Sequence, residues 1–259
     1  MRAASLGMYD EPEFAAANDA FWSGVAARLR AAGVRDVPPE LTRGVPLPAL
    51  WTDPDLLLAQ TCGWPLLTAL AGRLIVLLTP RYDLPGCEGP LHRSFVVVRQ
   101  DDPADSLAAL RGRVFAVNGF DSNSGMNLPR ALFAPLARDG HFFGAVIETG
   151  AHRASLAAIA AGRADAACVD CVTFGLLQRH APGAVAGLRV LAETDPVPAL
   201  PFVTHAGAPA AEVAALREAL DQPVPALSLT GVEVLPAGAY DVLLGLAAAA
   251  ARLGYCRLR

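Results

Sequence analysis

Val114-Phe115-Ala116-Val117-Asn118-Gly119-Phe120-Asp121-Ser122-Asn123-Ser124-Gly125 reads as an apolar strand running into a polar, Gly-containing turn, with a helix-like run opening near Met126. A turn of this kind presents hydroxyls and backbone N–H groups where the helix dipole favours negative charge, so it can cradle an anion. The same residues also fit plain punctuation, with Ser122 or Ser124 as an N-cap.

Working outward, strands and helices alternate on both sides of this turn. Ala3 to Met8 reads as a strand. Glu13 to Ala32 reads as a helix, with Phe14, Ala17, Phe21, Val25 and Leu29 at helical spacing and Gly33 as its stop. Asp55 to Gln60 and Pro65 to Ala71 are expected to be a helix pair broken by Cys62-Gly63-Trp64-Pro65. Leu74 to Leu78 is expected to be a strand, Pro80 to Pro90 a loop and Ser94 to Arg99 a strand. After Val114 to Val117 come a helix at Leu128 to Arg138, a strand at Phe142 to Glu148 and a helix at His152 to Ala161. A strand at Ala166 to Val169, a helix at Thr173 to Arg179 and a strand at Leu188 to Ala192 complete this series. Beyond the Pro-rich Asp195 to Pro201, the strand Phe202 to Thr204 is expected to return to the first series, with helices at Ala210 to Leu220 and Tyr240 to Leu253 completing it. This alternation predicts an α/β protein built on open, mostly parallel sheets flanked by helices. Two lobes are expected, 1–95 plus 201–259 as lobe one and 96–200 as lobe two, joined by two crossovers.

Composition narrows the chemistry. With 259 residues, 53% of them hydrophobic, the chain can bury a large core. A net charge of −4 gives no basic footprint for nucleic acid. All 21 basic residues are Arg, and the absence of Lys removes a Walker-type phosphate site, Schiff-base chemistry and a Lys base together. An anion must therefore be held by backbone, hydroxyls, His or Arg. The apolar stretches Leu66 to Gly72 and Val242 to Ala251 fall short of the roughly 20 residues that span a bilayer, so a soluble, non-membrane-spanning chain is expected. Met1 to Asp10 lacks the apolar region of a secretory signal. A cytoplasmic protein follows if Met1 is the true start, and a periplasmic or extracellular one if a leader has been removed. Five cysteines, at 62, 87, 168, 171 and 256, do not make a disulfide framework.

Further segments repeat the order of a known architecture: Trp51-Thr52-Asp53-Pro54-Asp55, Gln60-Thr61-Cys62-Gly63-Trp64-Pro65, the Asp121 to Gly125 turn, Thr149-Gly150-Ala151-His152, and Ala161 to Ala167 continuing to Asp170. In that order and spacing, from about Leu6 to about His205, the chain resembles the phosphate/phosphonate-binding components of ABC-type uptake systems. The resemblance implies a two-lobed type II periplasmic-binding-protein fold with a ligand cleft between the lobes. It also implies a small oxyanion ligand (phosphate-, phosphite- or phosphonate-like), an ABC permease as partner, a monomer, and no cofactor.

Within that frame the ligand-binding candidates are Tyr9 and Asp10 after the first strand, Thr61, Cys62 and Gly63 at a helix mouth, and Ser122, Asn123, Ser124 and the Gly125 N–H in the turn. His152, opening the next helix, would add a donor or a charge. Asp170 would accept a hydrogen bond from a protonated oxyanion. Asp10, a poor anion ligand, would orient a donor or bind an amino group on the substrate. Structural counterparts stand beside three others: Tyr9 as a half-buried aromatic, His152 as a cap or solvated residue, and Asp170 as a cap for the helix near Thr173. Trp51, Trp64 and Phe202 would supply an apolar wall or belong to the core. The pattern departs from the family's usual cleft chemistry at Cys62 and at Cys168-Val169-Asp170-Cys171, but no second cysteine pair lies at zinc-site spacing, so no metal is expected. Two rival readings stay open here: a cytoplasmic ligand sensor of the same fold, and a small hydrolase using Cys62 or Ser124 with His152, Asp170 orienting the latter pair. No Gly-x-Ser-x-Gly elbow supports the hydrolase.

Overall fold

The computed structural model describes residues 2–259. In chain order its elements are β1 (Ala3–Ser5), α1 (Ala15–Ala31), α2 (Leu47–Trp51), β2 (Leu56–Gln60), α3 (Gly63–Leu67), β3 (Leu74–Tyr82), β4 (Leu91–His92), β5 (Ser94–Arg99), β6 (Val114–Val117) and α4 (Leu128–Phe133). There follow β7 (Ala145–Glu148), α5 (His152–Ala160), β8 (Ala166–Asp170), α6 (Cys171–His180), β9 (Leu188–Glu193), β10 (Val197–Pro198), β11 (Phe202–His205), α7 (Ala210–Leu220), β12 (Leu229–Glu233) and α8 (Val242–Arg252). They form two compact units, one of the chain up to Asp83 with Pro198–Ala239, the other of Leu84–Val197 with Tyr240–Arg259.

The first unit is built on a five-stranded sheet of order β1-β2-β11-β3-β12. β1 and β2 are parallel, while β11 runs antiparallel to β2 and β3, and β12 antiparallel to β3. The second unit has the order β7-β6-β8-β5-β9, with β6 parallel to β7 and β8, and β5 antiparallel to β8 and β9. Both sheets are therefore mixed where mostly parallel ones were expected. The strands running against their neighbours are β5 in the second unit and β11 and β12 in the first. No helix lies in the links leading into β5 and β11, as a parallel neighbour would require.

Three sequence readings are corrected. Asp55 to Gln60 is not helical: Leu56–Gln60 is a strand buried at every position, as an inner strand covered on both faces must be. Leu229–Glu233, unassigned in the sequence, is the edge strand β12. The third correction concerns Tyr240 to Arg259, expected in lobe one, which packs in the second unit. There Asn127 Nδ2 donates to Leu243 O (3.3 Å), Arg130 Nη1 to Cys256 O (3.1 Å) and the Phe142 N–H to Arg259 O (2.6 Å). Residues 84–95 also lie in the second unit, because β5 pairs along its length with β8 and β9.

Beside β6 the second unit is packed by Phe115, Phe133, Phe142 and Phe143, with ring centroids 4.4–6.0 Å apart. Each buried ring contributes about 1.5–3 kcal/mol. This cluster anchors β6 and α4, the two elements between which the polar turn is suspended.

Candidate functional site

In the second unit β7, β6 and β8 run parallel side by side, so their carboxyl ends meet at one edge. That edge carries Asn118 to Gly125 after β6, Thr149 to His152 after β7 and Asp170 at the end of β8. Thr149 ties two of these loops together: its N–H and hydroxyl both donate to Val117 O, at 2.9 and 3.1 Å, and its Oγ1 meets Ser155 Oγ at 2.7 Å.

The turn after β6 opens a helix, but its first turn is a π turn, Asn123–Asn127, that leads directly into α4. Asn127 N–H donates to Ser122 O (3.1 Å) and the Leu128 N–H to Asn123 O. Such wide turns recur at functional sites. Ser122 is the N-cap, and its Oγ accepts from the Gly125 N–H at 3.0 Å. The capping role is thus realised, and the Gly125 amide, expected to face a ligand, is already engaged. Asn123 accepts from Asn127 Nδ2 at 3.1 Å. Gly125 is required sterically, because a Cβ there would sit 1.8 Å from Asn118 Oδ1 and 3.3 Å from His152 Cε1.

Ser124 and His152 are brought together, with Ser124 Oγ 2.8 Å from His152 Nε2. His152 is the first residue of α5, whose N-cap position, Ala151, offers no side-chain acceptor. The ring is half-buried, and its Nδ1 is shut from solvent without a hydrogen-bond partner. Burial, outweighing the attraction of Asp170 and reinforced by His92, pushes the imidazole down to about 4. At neutral pH His152 is therefore uncharged. Protonated on Nε2, it donates to Ser124 Oγ and leaves the serine proton for a third group. On Nδ1 it takes that proton instead.

Asp170 is 1% exposed, and both carboxylate oxygens are engaged within the protein. Oδ1 caps α6 by accepting from the Val172 and Thr173 N–H groups at 2.8 and 3.1 Å. Oδ2 lies 2.9 Å from Nδ1 of His92, a residue with no accessible surface. Burial pulls each group towards its neutral form, but the mutual charge and hydrogen bond prevail. His92 ends above the ordinary histidine range and Asp170 below the carboxylate range. Asp170 thus serves the cap and His92, and no Ser124-His152-Asp170 triad is formed. Sequence reasoning missed His92 because its partner lies 78 residues away and β4 is too short to carry a periodic pattern.

The first-unit candidates lie at the carboxyl ends of the adjacent parallel strands β1 and β2. Tyr9 is buried, its ring edge-on to Tyr82 at 5.9 Å and its carbonyl accepting from Asn18 Nδ2 at 2.7 Å. Asp10 orients donors: it accepts from Arg43 Nε (2.6 Å) and Nη2 (3.1 Å) and from Asn18 Nδ2 (2.9 Å). Arg43 also meets Asp19 at 2.8 Å. Thr61 Oγ1 donates to Cys62 O at 3.3 Å, Cys62 occupies the N-cap of α3, and Gly63 begins it, all three buried. Trp51 is buried with its indole N–H on Gln60 O (2.9 Å), and Phe202 packs on Phe21. Both belong to the core rather than to a ligand wall. Trp64 is half-buried in α3.

Two α/β units with mixed sheets, each gathering polar side chains at its carboxyl edge, define a ligand-binding protein of the type II periplasmic-binding fold. A family model described as the periplasmic substrate-binding protein of phosphonate ABC transporters matches residues 55–222, and the chain belongs to that family. Its fold is similar to that of PhnD1 from Prochlorococcus marinus in complex with methylphosphonate, at 15% identity over 98% of each chain, with a TM-score of 0.75. A binding protein component of an ABC phosphonate transporter from Pseudomonas aeruginosa matches at 16% identity over 91% of this chain and 82% of that one, with a TM-score of 0.71. A Xanthomonas citri protein bound to ATP matches at 21% identity over 90% and 92%, with a TM-score of 0.65. No curated protein matches. The family consists of substrate-binding proteins and not of enzymes, which sets the hydrolase reading aside. Among the described residues no helix is long and apolar enough to cross a membrane.

Proposed function

We propose that this chain is the receptor of an ABC-type uptake system and that it captures a small phosphonate-like oxyanion, working in the periplasm and delivering to a permease. The observation that carries this reading is the Ser124–His152 contact at the edge where three parallel strands end, within a chain of the phosphonate-binding family. Ser124, Ser122, Asn123 and the opening of α5 with His152 are the groups we assign to the anion in this unit. In the first unit Tyr9, Thr61, Cys62 and Gly63 lie at the carboxyl edge of β1 and β2, where Asp10 is taken up by Arg43 and Asn18.

The donors in this set are neutral. With no lysine in the chain and His152 uncharged at neutral pH, attraction rests on hydroxyls and helix amides, each hydrogen bond to a charged oxygen contributing about 1.5–3 kcal/mol. Protonation of His152 on Nε2 directs its N–H to Ser124 and the Ser124 proton to the ligand. His152 in this reading acts through the serine, and His152→Gln weakens binding by misdirecting that proton.

Calorimetric titration of protein purified without phosphate buffer, against methylphosphonate, phosphate and phosphite in turn, tests the reading. One equivalent of at least one of these should bind, with no turnover. Absence of binding by all three, with native mass spectrometry showing no retained ligand, contradicts it.

A further inference from the structure

The second unit carries a pair of thiols that the functional reading does not use. Cys171, fully buried, directly follows Asp170 at the start of α6, and its Sγ is 3.6 Å from Sγ of Cys87. The two lie 84 positions apart in the chain. The Cys-x-x-Cys spacing of Cys168 and Cys171 suggested a different pair, but Cys168 sits within β8 opposite Val96.

The contact is held from several sides. Cys87 lies in a tight turn, its N–H donating to Leu84 O (3.0 Å), and the chain then folds back through reciprocal 3.0 Å bonds between Glu88 and Leu91. At the far end of this hairpin the Arg93 N–H points at Cys171 Sγ (3.4 Å), and Arg93 O accepts from the Cys171 N–H (3.0 Å). The close approach depends on Gly86, where a Cβ would lie 2.9 Å from Cys171 Cβ and 2.7 Å from the Phe95 ring. Gly86 also has φ +84°, a conformation that glycine adopts without strain. Cys87 is half-buried and so reachable from solvent, whereas Cys171 is not.

We propose that Cys87 and Cys171 are a modification site that closes to a disulfide by exchange with a small-molecule disulfide such as oxidised glutathione. The Cys87 thiolate attacks one sulfur of the oxidant, forming a mixed disulfide and releasing one glutathione thiolate. Cys171 then gives up its proton and attacks the Cys87 sulfur, forming the Cys87–Cys171 bond and releasing the second glutathione. Two protein thiols are oxidised, one external disulfide is reduced, and the two protons end on the two glutathione thiols. The contact with Cys87 and burial both hold Cys171 in its thiol form, which makes the second attack the slow step. The bond fixes the 84–92 segment, which also carries His92, to the amino end of α6.

The test uses the full chain with the exposed Cys256 replaced (Cys256→Ser), incubated natively with oxidised glutathione, then alkylated in acid and mapped without reduction. A peptide pair joining Cys87 to Cys171 is expected, with loss of two hydrogens from the intact mass and reversal by dithiothreitol. The melting midpoint should rise by roughly 5–15 °C, because the bond closes a long loop. Cys87→Ser should abolish both the link and the shift, while Cys171→Ser should retain glutathione on Cys87. Overturning results are a Cys168–Cys171 link, or a stable glutathione adduct on Cys87 with Cys171 still alkylated in the unmutated pair.

Discussion

His152 titrates far below an ordinary histidine, and the consequence for stability has a definite sign. In the unfolded chain the imidazole takes a proton near pH 6.5, whereas in the folded protein it does so only at about 4. Between these values the unfolded state binds more protons, so stability falls as the pH drops from 6.5 to 4 and is unaffected by this group above 6.5. A gap of about 2.5 units corresponds to ~3 kcal/mol at full burial, and the partial exposure of the ring lowers this to ~2 kcal/mol. His152→Gln removes the titration. Urea denaturation at a series of pH values should show the variant gaining ~2 kcal/mol on the wild type between pH 7 and pH 4. The absolute difference at pH 7 also contains the altered contact with Ser124, so the change with pH is the diagnostic quantity. A difference that stays flat across this range, or an NMR titration of His152 near 6.5, would refute the reasoning.

Other substitutions probe the supports of the turn. Gly125→Ala should cost about 1–3 kcal/mol in thermal or urea melts, because its Cβ lands on Asn118 Oδ1. Adding Asn118→Ala should recover most of that loss, and purely additive costs would mean that Asn118 is not the obstacle. Asp170→Asn leaves His92 buried without its counter-charge and should destabilise by about 3–5 kcal/mol. The pair raises His92 and lowers Asp170, so this contribution is complete between the ordinary carboxylate range and pH 6.5 and fades as the pH rises through the folded value of His92. A gap between wild type and Asp170→Asn that widens towards alkaline pH would contradict the assignment.

Local chemistry was legible in the sequence, and contacts between distant segments were not. The turn at Ser122 to Gly125 was readable because strand, cap and helix start lie within a dozen residues, and its capping bond is internal to it. The resemblance carried the two-unit α/β plan. Leu56-Leu57-Leu58-Ala59-Gln60 misled because leucine and alanine favour helices, while burial on both faces of a sheet decided the outcome. The last helix, rich in leucine and alanine, carries no signal of which unit it covers, and backbone carbonyls at Leu243 and Cys256 fix it to the second. Asp170 was placed correctly at the end of its strand, but its partner His92 and the Cys87–Cys171 contact depend on a hairpin closing against α6 from far along the chain.

The central claim is that the anion is held at Ser124 with the support of His152, and calorimetric titration of Ser124→Asp beside the wild type tests it most directly. The wild type should bind methylphosphonate or a related oxyanion. Ser124→Ala should lose roughly 10- to 100-fold in affinity with one charged hydrogen bond gone, and Ser124→Asp should show no binding, since a carboxylate repels the ligand. Ser124 is buried against His152, so the added carboxylate should lower the melting midpoint, and the titration is run at a temperature where the variant's melting curve shows it folded. A folded Ser124→Asp protein that binds its oxyanion as tightly as the wild type would contradict the account.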